Sequence, residues 1–377
     1  MYIDTLRFYN DGWSLISEEI TSKAEASIVF LFGDSDILKT KQNFDELKRL
    51  YSNAHIVGAS SSGNILGAEI STDPVVAVAI HLEKGSVCVS RVDITSNENV
   101  EELTLKLVNQ LPQENLKHIF IMSDGLNING SEMIRGLNEA CGSFTISGGM
   151  AGDGDRFQET WIVADEPARQ NRIAAIGFYG EDIVISTGCY AGWSSFGADR
   201  VVTKSSGNVL FELDNQPALK LYKEYLGEFA VDLPLSGMRF PLSIKANAND
   251  DEVIRTLLAI DEEQNSISFA GDIPEGYVAR LMKPEVDVLI DGAGIAAKDI
   301  IQQEGRRGFG LIVSCVGRRV VMQDLVEEEL EIIEDILGKK VQLAGFYSYG
   351  EIAPSHSKPT ECQLHNQTMT LTTLYEN

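Results

Sequence analysis

The sequence predicts an α/β protein with α+β character. It should have two domains with mixed, twisted sheets covered by helices, built from repeated strand, helix, strand and glycine-loop units. Three observations predict this. Continuous apolar runs at residues 26–32, 117–122 and 310–315 read as strands buried on both faces. Each leads through an amphipathic helical stretch to a second strand that ends in a glycine-rich loop. The spacing repeats as well: Gly58 lies 26 residues after Phe32, Gly148 lies 26 after Met122, and Gly345 lies 31 after Ser314.

Residues 1–24 read as a short helical lead-in. After the first apolar run, residues 40–51 carry Phe44, Leu47 and Leu50 at helical spacing. Residues 75–82 and 86–94 predict paired strands that turn at Glu83, Lys84 and Gly85. Helices follow at residues 97–111 and 131–140, then a strand at 160–163. Residues 174–188 predict a hairpin turning at Gly180, Glu181 and Asp182, and residues 200–213 predict another. Pro217 fits the first turn of a helix at residues 219–226. The domain boundary is placed there, giving domains at 25–214 and 215–377. Beyond it lie a loop-rich segment at 232–252, strands at 253–261 and 266–270, and helices at 286–303 and 327–337. The last strand opens on His365, Asn366, Gln367 and Thr368.

The chain has 31 basic and 56 acidic residues, a net charge of −25. A surface this acidic repels phosphate backbones and anionic lipid, which argues against nucleic-acid and membrane-surface partners. The longest apolar run, residues 75–80, is far short of the ~18 needed to span a bilayer. Five scattered cysteines (Cys88, Cys141, Cys189, Cys315, Cys362) without a CxxC pair fit reduced thiols in a cytoplasmic protein.

The glycine loops hold the residues that could bind a ligand. Gly58-Ala-Ser-Ser-Ser-Gly63 has P-loop glycine spacing, but Asn64 stands where a phosphate-binding lysine is needed. Ser60, Ser61, Ser62 and Asn64, with Gly148, Gly149, Met150 and Asp153 of the second loop, could line a small-ligand pocket. Tyr347, Tyr349 and Glu351 of the third loop join them, with Asn366. His365 is the one histidine in a cluster of hydrogen-bonding side chains. A hydrolase using Ser60, Ser61, Ser62 or Cys315 with His365 can be drawn on paper, but the spacing selects no nucleophile.

Gly58-Ala-Ser-Ser-Ser-Gly63, Ser147-Gly-Gly-Met-Ala-Gly-Asp153 and Gly345-Phe-Tyr-Ser-Tyr-Gly-Glu-Ile-Ala-Pro354, with His365 and Asn366, resemble the signatures of the FIST family. The likeness covers roughly residues 25 to 370. It implies a sensory protein, not an enzyme, that binds a small ligand near the domain interface, where the glycine loops converge. The signal would pass to a partner histidine kinase, or to a diguanylate cyclase or phosphodiesterase. Domain content is similar to that of the stand-alone bacterial NosP group, which implies haem and nitric oxide. His365 would then be the axial ligand, Tyr347 and Tyr349 pocket walls, and Arg318 and Arg319 propionate partners. An amino-acid-type ligand without haem is the alternative.

Overall fold

The computed structural model describes all residues except 10, 11, 96, 97, 141, 248, 249, 302 and 304. Three units follow the same path around one apolar core. Each has a flanking strand, a central strand, a helix, a second strand parallel to the central one, and a closing strand antiparallel to it. In the first unit these are Tyr2–Tyr9, Ile28–Gly33, Lys41–Leu50, His55–Ser60 and Val75–His81. In the second they are Ser86–Asp93, Leu116–Ser123, Gly130–Glu139, Thr145–Met150 and Arg172–Tyr179. In the third they are Ile183–Tyr190, Gly308–Cys315, Glu328–Leu337, Val341–Ser348 and Met369–Glu376. The central strands meet through Phe30, whose ring centroid lies 6.4 Å from Phe120 and 5.7 Å from Phe309.

No unit completes its own sheet. Asn64–Leu66, leaving the first unit's loop, pairs with Val341–Ser348 of the third. Ile162–Ala164, leaving the second, pairs with His55–Ser60 of the first. Gly350–Pro354, leaving the third, pairs with Thr145–Met150 of the second. The exchange closes a cycle, and backbone hydrogen bonds tie the loops at each crossing. Ser62 N–H donates to Tyr347 O at 2.8 Å, Gly152 N–H to Ser60 O at 3.0 Å, and Tyr349 N–H to Met150 O at 3.1 Å.

The repeated glycines sit at matching registers, Gly58 opposite Leu31, Gly148 opposite Ile121 and Gly345 opposite Ile312. A Cβ at these positions would lie 2.1, 2.1 and 1.9 Å from the partner's carbonyl oxygen. The backbones approach too closely there for any side chain.

Residues 194–283 are inserted in the third unit, after its flanking strand. They form a curled half-barrel sheet in the order Val253–Arg255, Leu242–Lys245, Val278–Lys283, Ser194–Ser206, Val209–Leu213, Ser266–Phe269, Leu257–Asp261. Helix Ala218–Leu226 packs on it through Leu219, Leu221, Tyr222 and Leu226. Among the described residues no helix is long and apolar enough to cross a membrane.

The architecture is the mixed α/β one expected, but several local readings change. The lead-in is a strand pair, Tyr2–Tyr9 with Gly12–Ser17. Ile3 faces one core and Leu6 and Phe8 the opposite one, so the polar alternation of a one-sided strand is missing. The predicted pairs at 75–94 and 174–188 are split: in each case the two strands belong to different sheets. Their short turns carry the chain from sheet to sheet. Cys141, expected as a reduced thiol, and residue 97, expected to start a helix, lie outside the described residues.

Replacing Gly345 by Ala should push a pair of parallel strands away from each other at the centre of the third sheet, costing about 2–4 kcal/mol. Gly12→Ala, with nothing within 4 Å of the added carbon, should stay within about 0.5 kcal/mol. Urea denaturation of the two variants measures this, and equal midpoints would contradict the close approach.

Candidate functional site

The three glycine loops converge at one end of the core, and the convergence is tightly bonded. Ser60 Oγ accepts from Trp161 N–H at 2.9 Å, and Ser61 Oγ from Gly63 N–H at 2.8 Å. Ser62 Oγ donates to Gly154 O at 3.0 Å and accepts from Gly154 N–H at 3.1 Å. Asn64 Nδ2 donates to Asp73 O and Pro74 O. Gly149 faces Val313 and Phe346 and leaves them room. Asp153 accepts backbone N–H bonds from Phe157, Gln158 and Glu159, each at 2.9 Å, and the Tyr349 hydroxyl. Burial alone would raise its pKa, but those bonds outweigh it and hold the carboxyl below its usual range.

The third loop leads to a buried ion pair. Arg318 is fully buried and donates from Nε and Nη2 to Glu329 at 2.9 and 2.8 Å, and to the Ala191 and Leu289 carbonyls. Tyr347 donates to the same carboxylate at 2.8 Å. Burial, then the Glu329 charge, pushes the phenol well up. Arg319 lies over the Tyr347 ring and donates to Ser62 O. These donors serve the protein's own carbonyls and carboxylates.

A cavity of about 680 Å³ lies beside the loops, where the second and third units meet the half-barrel. Residues 125–130 and 315–317 form one side. Pro234, Leu235, Met238 and residues 256–258 and 269–272 contribute to the other. Of the expected ligand residues, Met150, Tyr349 and Asn366 line it; the other expected ones do not. The walls are mostly apolar, and exposed Phe157, Leu235 and Leu258 stand at its edge. The volume suits a small organic ligand.

The cluster after the tyrosine loop is the seam between the half-barrel and the rest. Arg255 Nη1 donates to Leu364 O at 2.9 Å, Thr256 N–H to Asn366 Oδ1 at 3.3 Å, and Gln367 Nε2 to Met238 O at 3.1 Å. His365 is buried outside the cavity lining, with no partner for Nε2. Burial, then nearby Arg255, brings its pKa down to about 3. Among the described residues, no group of three or more His, Cys, Asp or Glu is placed to hold a metal ion. A haem needs an iron ligand and propionate donors that face one space. His365, Arg318 and Arg319 all lie outside the cavity, and Arg318 is spent on Glu329.

Cys315 lines the cavity from the start of helix Val316–Met322. Burial, then the charge of Glu351, pushes its thiol well up, against backbone N–H groups of Gly317 and Gln367. Sequence reasoning missed most of the lining: Met238, Thr256, Leu257, Phe269 and Gln367 come from the insert or the seam. The polar run containing Gln367 was visible, but its partner in the half-barrel lies over a hundred residues away.

The FIST N domain matches residues 27–216, and the FIST C domain residues 218–354. An uncharacterized protein of Methanocaldococcus jannaschii is 23% identical over 375 residues, covering 90% of this chain and 72% of its own. Among solved structures, a chorismatase is similar over 99% of this chain and 98% of its own, at 8% identity and a TM-score of 0.35. A cyanuric acid hydrolase from A. caulinodans is similar over 94% and 91%, at 6% identity and a TM-score of 0.35. These two likenesses are distant.

Glu351, beside Cys315, is fully buried; it accepts from Ser348 at 2.6 Å and from Thr368 N–H and Oγ–H at 3.1 and 3.0 Å. Burial outweighs those bonds and pushes its pKa up from 4.5 to about 7. Between these values the folded state holds a proton that the unfolded state has lost, so this contribution to stability falls as pH rises through the window. His118 and His365, held down to about 3, act with the opposite sign below about 6.5. The difference between wild type and Glu351→Gln isolates the carboxyl. From pH 5 to pH 8 the variant should gain on the order of 2 kcal/mol relative to wild type. Urea midpoints measure it, and a difference flat with pH would contradict it.

Proposed function

The chain belongs to the FIST family, whose domains sense small ligands in signal transduction, and on that premise we propose that its ligand site is the cavity at the half-barrel seam. One observation carries the reading: the cavity wall is shared between the second and third units and the inserted sheet. A ligand that fills it touches both sides. It therefore favours the arrangement in which they are closed on each other, which is a population shift readable from outside. The output partner in this reading is a histidine kinase or a cyclic-dinucleotide enzyme. The buried, high-pKa thiol of Cys315 and the bonded serines favour a binding module over a hydrolase.

Thermal-shift screening of small metabolites tests the site. A true ligand at 100 times its dissociation constant adds about 2.7 kcal/mol of stability. Leu235→Trp and Leu258→Trp place bulk at exposed positions of the lining. Each should abolish the ligand-induced rise and change the ligand-free stability by no more than about 0.5 kcal/mol. A ligand whose shift survives both substitutions binds elsewhere.

A further inference from the structure

Gln367 is fully buried and lines the cavity, with a backbone φ of 63° that non-glycine residues seldom adopt. Its amide is held in one orientation. Nε2 donates to Met238 O at 3.1 Å and to Thr256 Oγ1 at 3.0 Å. A carbonyl can only accept, so turning the amide over would set two oxygens against each other. Oε1 is left without a hydrogen-bond partner. The amide lies against Gly317, another residue of the lining, where an added Cβ would come within 2.3 Å of Nε2 and 2.4 Å of Oε1. Among the described residues, no other residue of the lining has such a buried, unpartnered side-chain oxygen or nitrogen.

The neighbouring polar groups are engaged. Asn366 bonds Thr256 N–H and His365 O, and Asn208 donates to Phe269 O. Asp272 is paired with Arg135 at 3.1 Å. No Lys, Arg or His belongs to the described lining. The described lining therefore includes one fixed, covered neutral acceptor among mostly apolar walls, and no cation. A buried acceptor left unpaired is costly, and a donor brought to it recovers that cost.

We propose that Gln367 Oε1 selects the ligand, and that the ligand is an uncharged molecule with an apolar body and an amide-type N–H donor. This rests on the cavity being the ligand site. A carboxylate would set its oxygens against Oε1 with no cation to offset them. An ammonium would give up its hydration for a neutral oxygen and a carboxylate already paired.

Four probes on one skeleton test it: 3-phenylpropanamide, its N,N-dimethyl derivative, 3-phenylpropanoate and 3-phenylpropylamine, titrated by ligand-observed NMR. Wild type should bind the primary amide about tenfold more tightly than the other three. The preference should vanish in Gln367→Met, which removes the acceptor, and in Gly317→Ala, which pushes the amide end of Gln367 aside. The ratio of amide to dimethylamide within each protein is the readout, so a general loss of affinity does not mimic the effect. Leu235→Trp should abolish amide binding and so locate it. Equal affinities for the four probes, or a preference for the carboxylate, overturn donor selection and leave the cavity as a site. Binding of none of them, or amide binding that survives Leu235→Trp, overturns both.

Discussion

Backbone hydrogen bonds at each crossing between units are the constraint on which the rest of the fold depends. Ser62 N–H to Tyr347 O, Gly152 N–H to Ser60 O and Tyr349 N–H to Met150 O hold the loops at the point where each outgoing strand leaves for its neighbour's sheet. They lie where strands from neighbouring units cover the edges of the three sheets. The pairings are also long in sequence. Gly350–Pro354 closes on Thr145–Met150, so the second unit's sheet is completed only after most of the chain exists. Such non-local pairing slows folding and ties the units into one cooperative body.

The same constraint explains why the polar loops bind one another. Every amide and carbonyl brought to the buried crossing needs a partner. Ser60, Ser61, Ser62, Asn64 and Asp153 supply those partners with their side chains. A cluster of serines, glycines and one aspartate looks like a ligand cradle in sequence, because the chemistry that holds a ligand also closes a loop. The two cases differ in whether the bonds are already spent. Here they are spent, and the cavity lies to one side.

The repeat was legible because its causes are local. A buried central strand must be apolar throughout, and the close approach at Gly58, Gly148 and Gly345 admits no side chain. Both leave marks at a fixed spacing. The exchange of strands leaves none, since Asn64–Leu66 has no sequence feature that names Val341–Ser348 as its partner. The lead-in was misread for a related reason: Tyr2–Tyr9 is a strand only because Val75–His81 and Gly12–Ser17 flank it. Met150, Tyr349 and Asn366 could be picked out because they sit in or near the repeated loops. Met238 and Phe269 could not, because nothing before folding says the half-barrel turns them toward those loops.

The three crossings are built alike but filled differently, and the cavity lies beside the third. Between the first and second units, Arg156 donates to Asp153 O at 2.9 Å, to Asp36 at 2.8 Å and to Ser35 Oγ at 2.5 Å. Between the first and third, the Arg319 guanidinium lies 5.8 Å from the Tyr347 ring centroid and bonds Ser62 O. Between the second and third, Met150 and Tyr349 meet with Phe157 stacked on the tyrosine at 4.5 Å. An arginine occupies each of the first two crossings. The third is roofed by the insert, which reaches the second unit through Asp272 N–H on Ser131 Oγ at 3.0 Å. A long cation closes a polar crossing by satisfying carbonyls and carboxylates at once. Beside the third crossing Arg255 serves the Asp272 and Leu364 carbonyls from the insert side, and Gln367 Oε1 is left over. In a threefold repeat, then, the cavity lies where the repeat is broken.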